Sequence, residues 1–377
     1  MPKDIQQIQT NAPIIAKEKP SQPSQPVNPT KQESLKREVF GFLPYWKLDQ
    51  ASNLHYNLLS TIAYFGVTAD DNGGIVEEDP GFTGWVSPTM ETVRQKAREN
   101  NVRIVLTLEA MTNNRIENIL NDPATRTRLI NRTVAEVNSK GGGGINLDFE
   151  YVGDPGPIVR KEFTDFTKEM ADALHREIPG SEISVDVYAG GSHPSTLYDV
   201  SALTPSIDKI FIMGYDFYSP GSDNAGPVAP LYGAQEGKYY LDVATAVDEF
   251  LKVAPAEKII LGVPYYGWDW PVYDGKDPRS AKSWGGTEMK TYALTQEDSD
   301  NNDGSRNWDD LAKEPWYWWW NPTNETWHQV WYEDAASLGF KYDFINQKNL
   351  GGAGIWALGY DQNRPELWDL LKNKFFG

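Results

Sequence analysis

The chain has no cysteine among its 377 residues. That excludes disulfides, thiolate metal sites and cysteine nucleophiles. It holds only four histidines, His55, His175, His193 and His328, and their spacing matches no metal-ligand pattern. Positive charge is also short, with 35 basic against 53 acidic residues and a net charge of −18. A field of that sign repels phosphate, so neither nucleic acid nor an anionic lipid surface is expected as the main partner. No apolar run reaches the roughly 18 residues of a transmembrane helix. No apolar signal-peptide core follows Met1. What the chain does have is aromatic residues, with 14 Trp and 19 Tyr. Aromatic faces stack on the apolar faces of sugar rings, so an acidic, Trp-rich chain suggests carbohydrate more than nucleotide. A large core is the other use for such residues.

Residues 1–37 read as a disordered, Pro-rich tail, with Pro2, Pro13, Pro20, Pro23, Pro26 and Pro29 among many Gln, Ser and Lys. Such a segment buries too little surface to offset its ordering entropy. Residues 38–377 have a different texture. Short apolar runs lie at about Val39–Tyr45, Leu58–Gly66, Val102–Leu108, Gly144–Glu150, Ile183–Ala189, Lys209–Tyr215, Ile259–Tyr265 and Gly352–Leu358. Amphipathic stretches alternate with them, at Pro88–Asn100, Pro123–Ser139, Pro157–Glu177, Leu241–Val253 and Asp334–Gln347, with Pro365–Phe375 closing the chain. Several open with a cap residue followed by proline. Eight strands alternating with helices predict an α/β fold, a (β/α)8 TIM barrel with its site at the carboxyl ends of the strands. A doubly wound sheet is the rival. The Gly141–Gly144 run precedes its strand, so it is no dinucleotide fingerprint. Ten of the fourteen tryptophans fall between Trp268 and Trp331. This stretch lacks a clean barrel helix and reads as an insertion at about 268–331, after strand seven. Trp316 and Trp318–Trp320 are either a sugar platform or the core of that insertion. The acidic run from Asp298 to Gly304, with Asp310 beyond, has its glycine one place too late for a calcium loop and reads as solvated.

The chemistry concentrates in Gly143-Gly144-Ile145-Asn146-Leu147-Asp148-Phe149-Glu150-Tyr151. In a strand, Ile145, Leu147 and Phe149 face one way and Asn146, Asp148 and Glu150 the other. In a barrel the polar set points at the axis, where it must be mutually satisfied or functional. Asp148 and Glu150 lie two apart, with Cα atoms roughly 6–7 Å from each other. Two carboxyls so close do not both ionise freely, and one keeps a proton near neutral pH. Such a group suits general acid catalysis. An interior hydrogen-bond cluster is the other reading.

This segment resembles the fourth-strand signature of glycoside hydrolase family 18, the chitinases and related β-N-acetylglucosaminidases. Their pattern is Asp-x-x-Asp-x-Asp-x-Glu, and the four positions here are Gly143, Asn146, Asp148 and Glu150. The first acid is missing and the second is an amide, as in a bacterial branch acting on spore-cortex or other peptidoglycan glycans. Met213-Gly214-Tyr215-Asp216 resembles the family's sixth strand, and Gly262-Val263-Pro264-Tyr265-Tyr266-Gly267 its seventh. Trp331–Asp334 with Ser337, Leu338, Lys341 and Tyr342 is similar to the element leading to the eighth, and Gly352–Trp356 to the eighth itself. Gly41-Phe42 and Ala63-Tyr64-Phe65 fit the first two strands loosely. The third ends Thr107-Leu108-Glu109-Ala110, where the family often has Ser-x-Gly-Gly.

The resemblance implies a glycosidase that cleaves β-linked N-acetylglucosamine glycans (chitin, chitooligosaccharides or peptidoglycan) by substrate-assisted retaining catalysis. On that reading Glu150 is the general acid and base. Asp148 orients the substrate acetamido group, Tyr215 donates to its carbonyl, and Asn146 orients Asp148. Asp216 holds sugar hydroxyls and Trp356 floors the subsite. Tyr151, Met213, Phe42 and Tyr265 complete the substrate-binding set. No metal and no cofactor are implied. The partner is an N-acetylglucosamine-containing polysaccharide or oligosaccharide, the chain is expected to act as a monomer, and the location is secreted or at the cell envelope. A non-catalytic lectin on the same barrel is the alternative, opposed by the presence of Glu150 beside Asp148. An envelope scaffold, suggested only by the tail, predicts an ordinary fourth strand.

Overall fold

The computed structural model describes residues 35–193, 195–284, 286–301 and 306–377. The tail at 1–34 and the centre of the acidic run, Asn302–Ser305, lie outside the described residues. Leu35 to Arg37, assigned to the tail from composition, are instead tied to the body of the protein. Leu35 bridges to Phe376, Lys36 N–H donates to the Phe375 carbonyl at 2.8 Å, and Arg37 Nε donates to Asn346 Oδ1 at 3.4 Å.

Thirteen strands are present among the described residues. They are β1 (Glu38–Pro44), β2 (Thr61–Thr68), β3 (Arg103–Ala110), β4 (Gly144–Phe149), β5 (Glu182–Tyr188), β6 (Lys209–Met213), β7 (Ile259–Pro264), β8 (Tyr266–Val272), β9 (Glu288–Thr291), β10 (Asn307–Asp309), β11 (Glu314–Asn321), β12 (Thr326–Tyr332) and β13 (Gly352–Trp356). Strands β1 to β7 and β13 pair in parallel and close a barrel, in chain order around the circle. Closure settles the choice against a doubly wound sheet. Helices follow most strands, and their starts obey local capping rules. Ser87 Oγ accepts from the Met90 amide ahead of Pro88–Glu99, Asp122 from the Ala124 amide ahead of Pro123–Ser139, and Asp334 forms a capping box ahead of Ala335–Gln347.

Each barrel strand divides its side chains between two cores. The larger one lies between strands and helices and takes Ile145, Leu147 and Phe149 with Phe163, Phe166 and Met170. The smaller fills the barrel axis with Phe40, Phe42, Ala63, Phe65, Val105, Phe211, Met213 and Ile260. Phe42 meets Phe211 edge to face at 4.9 Å between ring centres. In a barrel filled along its axis, the functional residues belong at the carboxyl ends of the strands.

Between β7 and β13 the chain builds a second, antiparallel sheet in the order β10-β11-β12-β8-β9. It also contributes the helix Tyr292–Asn301. The alternation of the Trp-rich stretch sorts its rings. Trp268, Trp270, Trp316 and Trp331 are buried, with Trp316 stacked on Trp331 at 5.3 Å. Trp316 is therefore core. Trp318 and Trp319 are half-buried, and Trp320 is exposed. Asp298 lies on the helix rather than in an open loop, paired with Lys290 and accepting from Tyr317 Oη at 3.2 Å. No cluster of three or more potential metal ligands occurs among the described residues.

Candidate active site

Asp148 is the last inward residue of β4, and Glu150 follows it just past the strand end. The Glu150 amide donates to the Ala110 carbonyl at 3.0 Å, which pins the turn to β3. Below Asp148, the Asn146 amide donates to Asp186 Oδ2 at 2.7 Å and accepts from Ser184 Oγ at 2.6 Å. The β4–β5 register pairs Asn146 with Ser184 and Leu147 with Val185, which makes Asp186 the next neighbour of Asp148. Both carboxyls are almost wholly buried, and each keeps one buried oxygen, Oδ1, without a partner. On the other side of Asp148, the register pairs it with Glu109 of β3.

Three neighbouring strands thus bring Glu109, Asp148 and Asp186 into one row, with Glu150 above it. Burial pushes Glu150 up to about 7; Asp216 and Glu109 add to the rise, and the Tyr188 hydroxyl, 3.4 Å from Oε2, opposes it. Burial, then the charges of Glu150, Asp186 and Glu109, hold Asp148 well above the usual carboxylate range. Asp186 is raised by burial and by Glu150 against the Asn146 hydrogen bond. Protons shared within the row are the physical consequence of so many carboxyls in so little water.

The opposite wall comes from β6 and the inserted sheet. Asp216 sits past the end of β6 at φ +59°, a left-handed conformation that Asp tolerates better than most residues. Its Oδ1 accepts from Tyr266 Oη at 2.6 Å and from Trp268 Nε1 at 2.9 Å, both on β8. Tyr215, half-buried, places its ring 6.3 Å from Tyr266. The floor is Trp356 at the end of β13. It meets Phe65 edge to face at 4.7 Å and Trp46 at 6.4 Å. A carboxyl raised to about 7, a second carboxyl beside it, a phenol and an indole floor at the carboxyl ends of the barrel strands suit acid-catalysed attack on a sugar bond.

Residues 38–361 match the family model described as Glycosyl hydrolases family 18. The chain belongs to that family. It is 28% identical over 342 residues to the cortical fragment-lytic enzyme of Bacillus subtilis, a match spanning 87% of this chain and 70% of that one. With chitinase A1 of Niallia circulans it shares 26% identity over 343 residues, 80% of this chain and 48% of the relative, so the chain spans about half the length of that protein. In fold it is similar to the Ostrinia furnacalis Group IV chitinase in complex with allosamidin, with a TM-score of 0.76, 19% identity and coverage of 89% and 98%.

The protein is a family 18 glycosidase, and the barrel gathers Asp148, Glu150, Tyr215, Asp216 and Trp356 at one mouth. Other expected residues take different places. Asn146 is fully buried and bonds Asp186 rather than Asp148, so it lies out of reach of a sugar and does not orient Asp148 directly. Phe42 and Met213 are buried in the axial core beneath Trp356 and support the floor. Tyr265 is fully buried in the outer core, with its hydroxyl 3.0 Å from that of Tyr342. Its neighbour Tyr266 takes the position facing the site. Tyr151 stands at the rim and donates to Glu117 Oε1 at 2.5 Å. Trp46, Asp186 and Tyr188 also belong to this region, and Glu109 and Trp268, legible in the sequence only as a strand end and as part of the Trp-rich stretch, join them. Trp46 had a signal, an aromatic pair directly after β1. Asp186 and Glu109 had one too, an acid flanked on both sides by apolar residues.

Proposed function

We propose that the enzyme hydrolyses β-linked N-acetylglucosamine glycans with retention, using the substrate's own acetamido oxygen as nucleophile. Glu150 protonates the glycosidic oxygen, then returns as a base to activate water. Asp148 accepts the acetamido N–H and holds that group in line for attack. Tyr215 donates to the acetamido carbonyl, Asp216 holds sugar hydroxyls, and Trp356 supports the apolar face of the reacting sugar. The observation that carries the reading is the unpartnered, buried Asp148 Oδ1 next to a Glu150 raised to about 7. An acceptor without a donor suits an incoming N–H, and a carboxyl near 7 suits an acid that must also act as a base. Similarity to the cortical fragment-lytic enzyme favours peptidoglycan glycans over chitin, and with them action outside the cytoplasm, secreted or at the envelope.

The test is hydrolysis of aryl-labelled N-acetylglucosamine di- and trisaccharides and of muropeptide glycan strands, for wild type and Glu150→Gln. Turnover in the wild type, lost by at least about 1,000-fold in the variant with sugar binding retained, is expected. Binding without cleavage by the wild type on every one of these substrates overturns the reading.

A further inference from the structure

At the edge of the mouth, Thr68 Oγ1 at the end of β2 lies 2.7 Å from Asp79 Oδ2 and 2.8 Å from Glu109 Oε1. A hydroxyl carries one proton and donates it to one partner. The second contact is a hydrogen bond only when the other carboxyl brings a proton of its own. Asp79 stands at the N-cap position of the helix Pro80–Trp85, yet its side chain makes no capping bond. It turns to Thr68 instead. Glu109 points the same way as Thr107, whose hydroxyl lies 3.5 Å from the Asn146 amide inside the barrel. Gly66 faces the end of this side chain: a Cβ there would meet Glu109 Oε2 at 3.0 Å, so the carboxylate would have to give by a few tenths of an ångström.

We propose that Glu109 is a positioning residue of the reaction site: bridged to Asp79 through Thr68 and set against Asp148 by the β3–β4 register, it acts on the reaction through Glu150, whose amide is tied to the next residue of β3. The signature on β4 lacks acids at Gly143 and Asn146. Glu109 supplies negative charge from β3, next to the pair, through the register that sets it against Asp148. Several groups face it. Asp79 and the Tyr45 phenol approach from the β1 and β2 side, and Arg115, itself paired with Asp71 at 3.3 Å, from the helix after β3. Asp148 and Glu150 approach from β4. Burial pushes Glu109 up to about 7, Thr68 opposing and Asp79 reinforcing, so it ionises in the same range as Glu150. Below that range Glu109 is neutral and leaves Glu150 unaffected. Above it, the Glu109 charge resists loss of the Glu150 proton. Its influence therefore falls on the alkaline limb of activity and spares the acid limb.

The role rests on Glu150 being the acid, so the experiment reads Glu150 both with and without turnover. Protein carrying 13C-labelled glutamate carboxyls is titrated by NMR, with the Glu150 signal assigned from Glu150→Gln. In Glu109→Gln, which keeps the shape and the contact to Thr68, Glu150 is expected to ionise at a pH lower by about one unit. In Glu109→Asp, which keeps the charge, it is expected to move by less than half of that. The alkaline limb of kcat/KM on an aryl chitobioside should follow the same order. A Glu150 titration equal in wild type and Glu109→Gln, or shifted as far by Glu109→Asp, overturns the proposal. Absence of turnover in the wild type overturns the hydrolase reading alone, because the NMR titration still decides the role of Glu109.

Discussion

The Trp268 indole donates to the same Asp216 oxygen that the Tyr266 hydroxyl reaches, at 2.9 and 2.6 Å. Two residues at alternate positions of β8 therefore grip a carboxyl at the end of β6, and the inserted sheet becomes part of the active-site wall. Burial raises Asp216, and these two donors oppose the rise. Removing one leaves Asp216 Oδ1 with a single side-chain donor. Trp268→Phe keeps an aromatic ring but deletes the donor together with the rest of the indole. A lost hydrogen bond to a buried carboxyl costs about 1.5–3 kcal/mol, so kcat/KM on an N-acetylglucosamine oligosaccharide is expected to fall about 10- to 100-fold. Unchanged kinetics would show that Asp216 does not depend on this grip.

Strand four was readable because its polar and apolar residues alternate, and alternation assigns faces without a partner strand. The row around it was not. Glu109 and Asp186 join Asp148 only through the registers of β3 and β5, and an acid flanked by apolar residues does not announce its neighbours. The exchange of Tyr265 for Tyr266 has a related cause. The chain leaves β7 at Pro264 and enters β8 at Tyr266, and a shift of one residue turns a side chain to the other face. The eight barrel strands were legible from their apolar runs. The inserted sheet was not, because a stretch holding so many tryptophans shows no contrast between its two faces until pairing buries one of them.

The raised carboxyls make stability depend on pH in a definite direction. Glu150 moves from its ordinary 4.5 up to about 7, chiefly by burial. The folded state then binds its proton more tightly than the unfolded chain does. That contribution is complete below about 4.5 and is lost as pH rises through 7. Glu150→Gln removes the penalty of ionising this half-buried group. The variant is expected to exceed wild type in urea stability at pH 8 by up to about 3 kcal/mol, with the difference vanishing near pH 4. An equal difference at both pH values would assign the gain to packing instead.

Glu333 and Lys341 form a fully buried ion pair at 2.5 Å where the inserted sheet returns to the barrel. Glu314, on β11, is equally buried and accepts from the Val228 and Ala229 amides at 2.7 and 3.0 Å. Burial and Glu333 raise Glu314, and Lys341 opposes. The Lys341 ammonium pairs with Glu333, and its charge also favours the ionised form of Glu314. Lys341→Met leaves Glu333 without its cation, and breaking a buried pair from one side costs about 3–5 kcal/mol. The two acids escape part of that cost by taking protons, since burial already pushes Glu333 up to about 7. The loss of stability is therefore expected to be larger at pH 8 than at pH 5, opposite in sign to the effect of Glu150→Gln. Adding Glu333→Gln to Lys341→Met removes one stranded charge and should recover part of the loss at pH 8. Thermal melts of the single and double variants at both pH values check this. A deficit independent of pH would mean that Lys341 stabilises the junction by packing its alkyl chain, not by its charge.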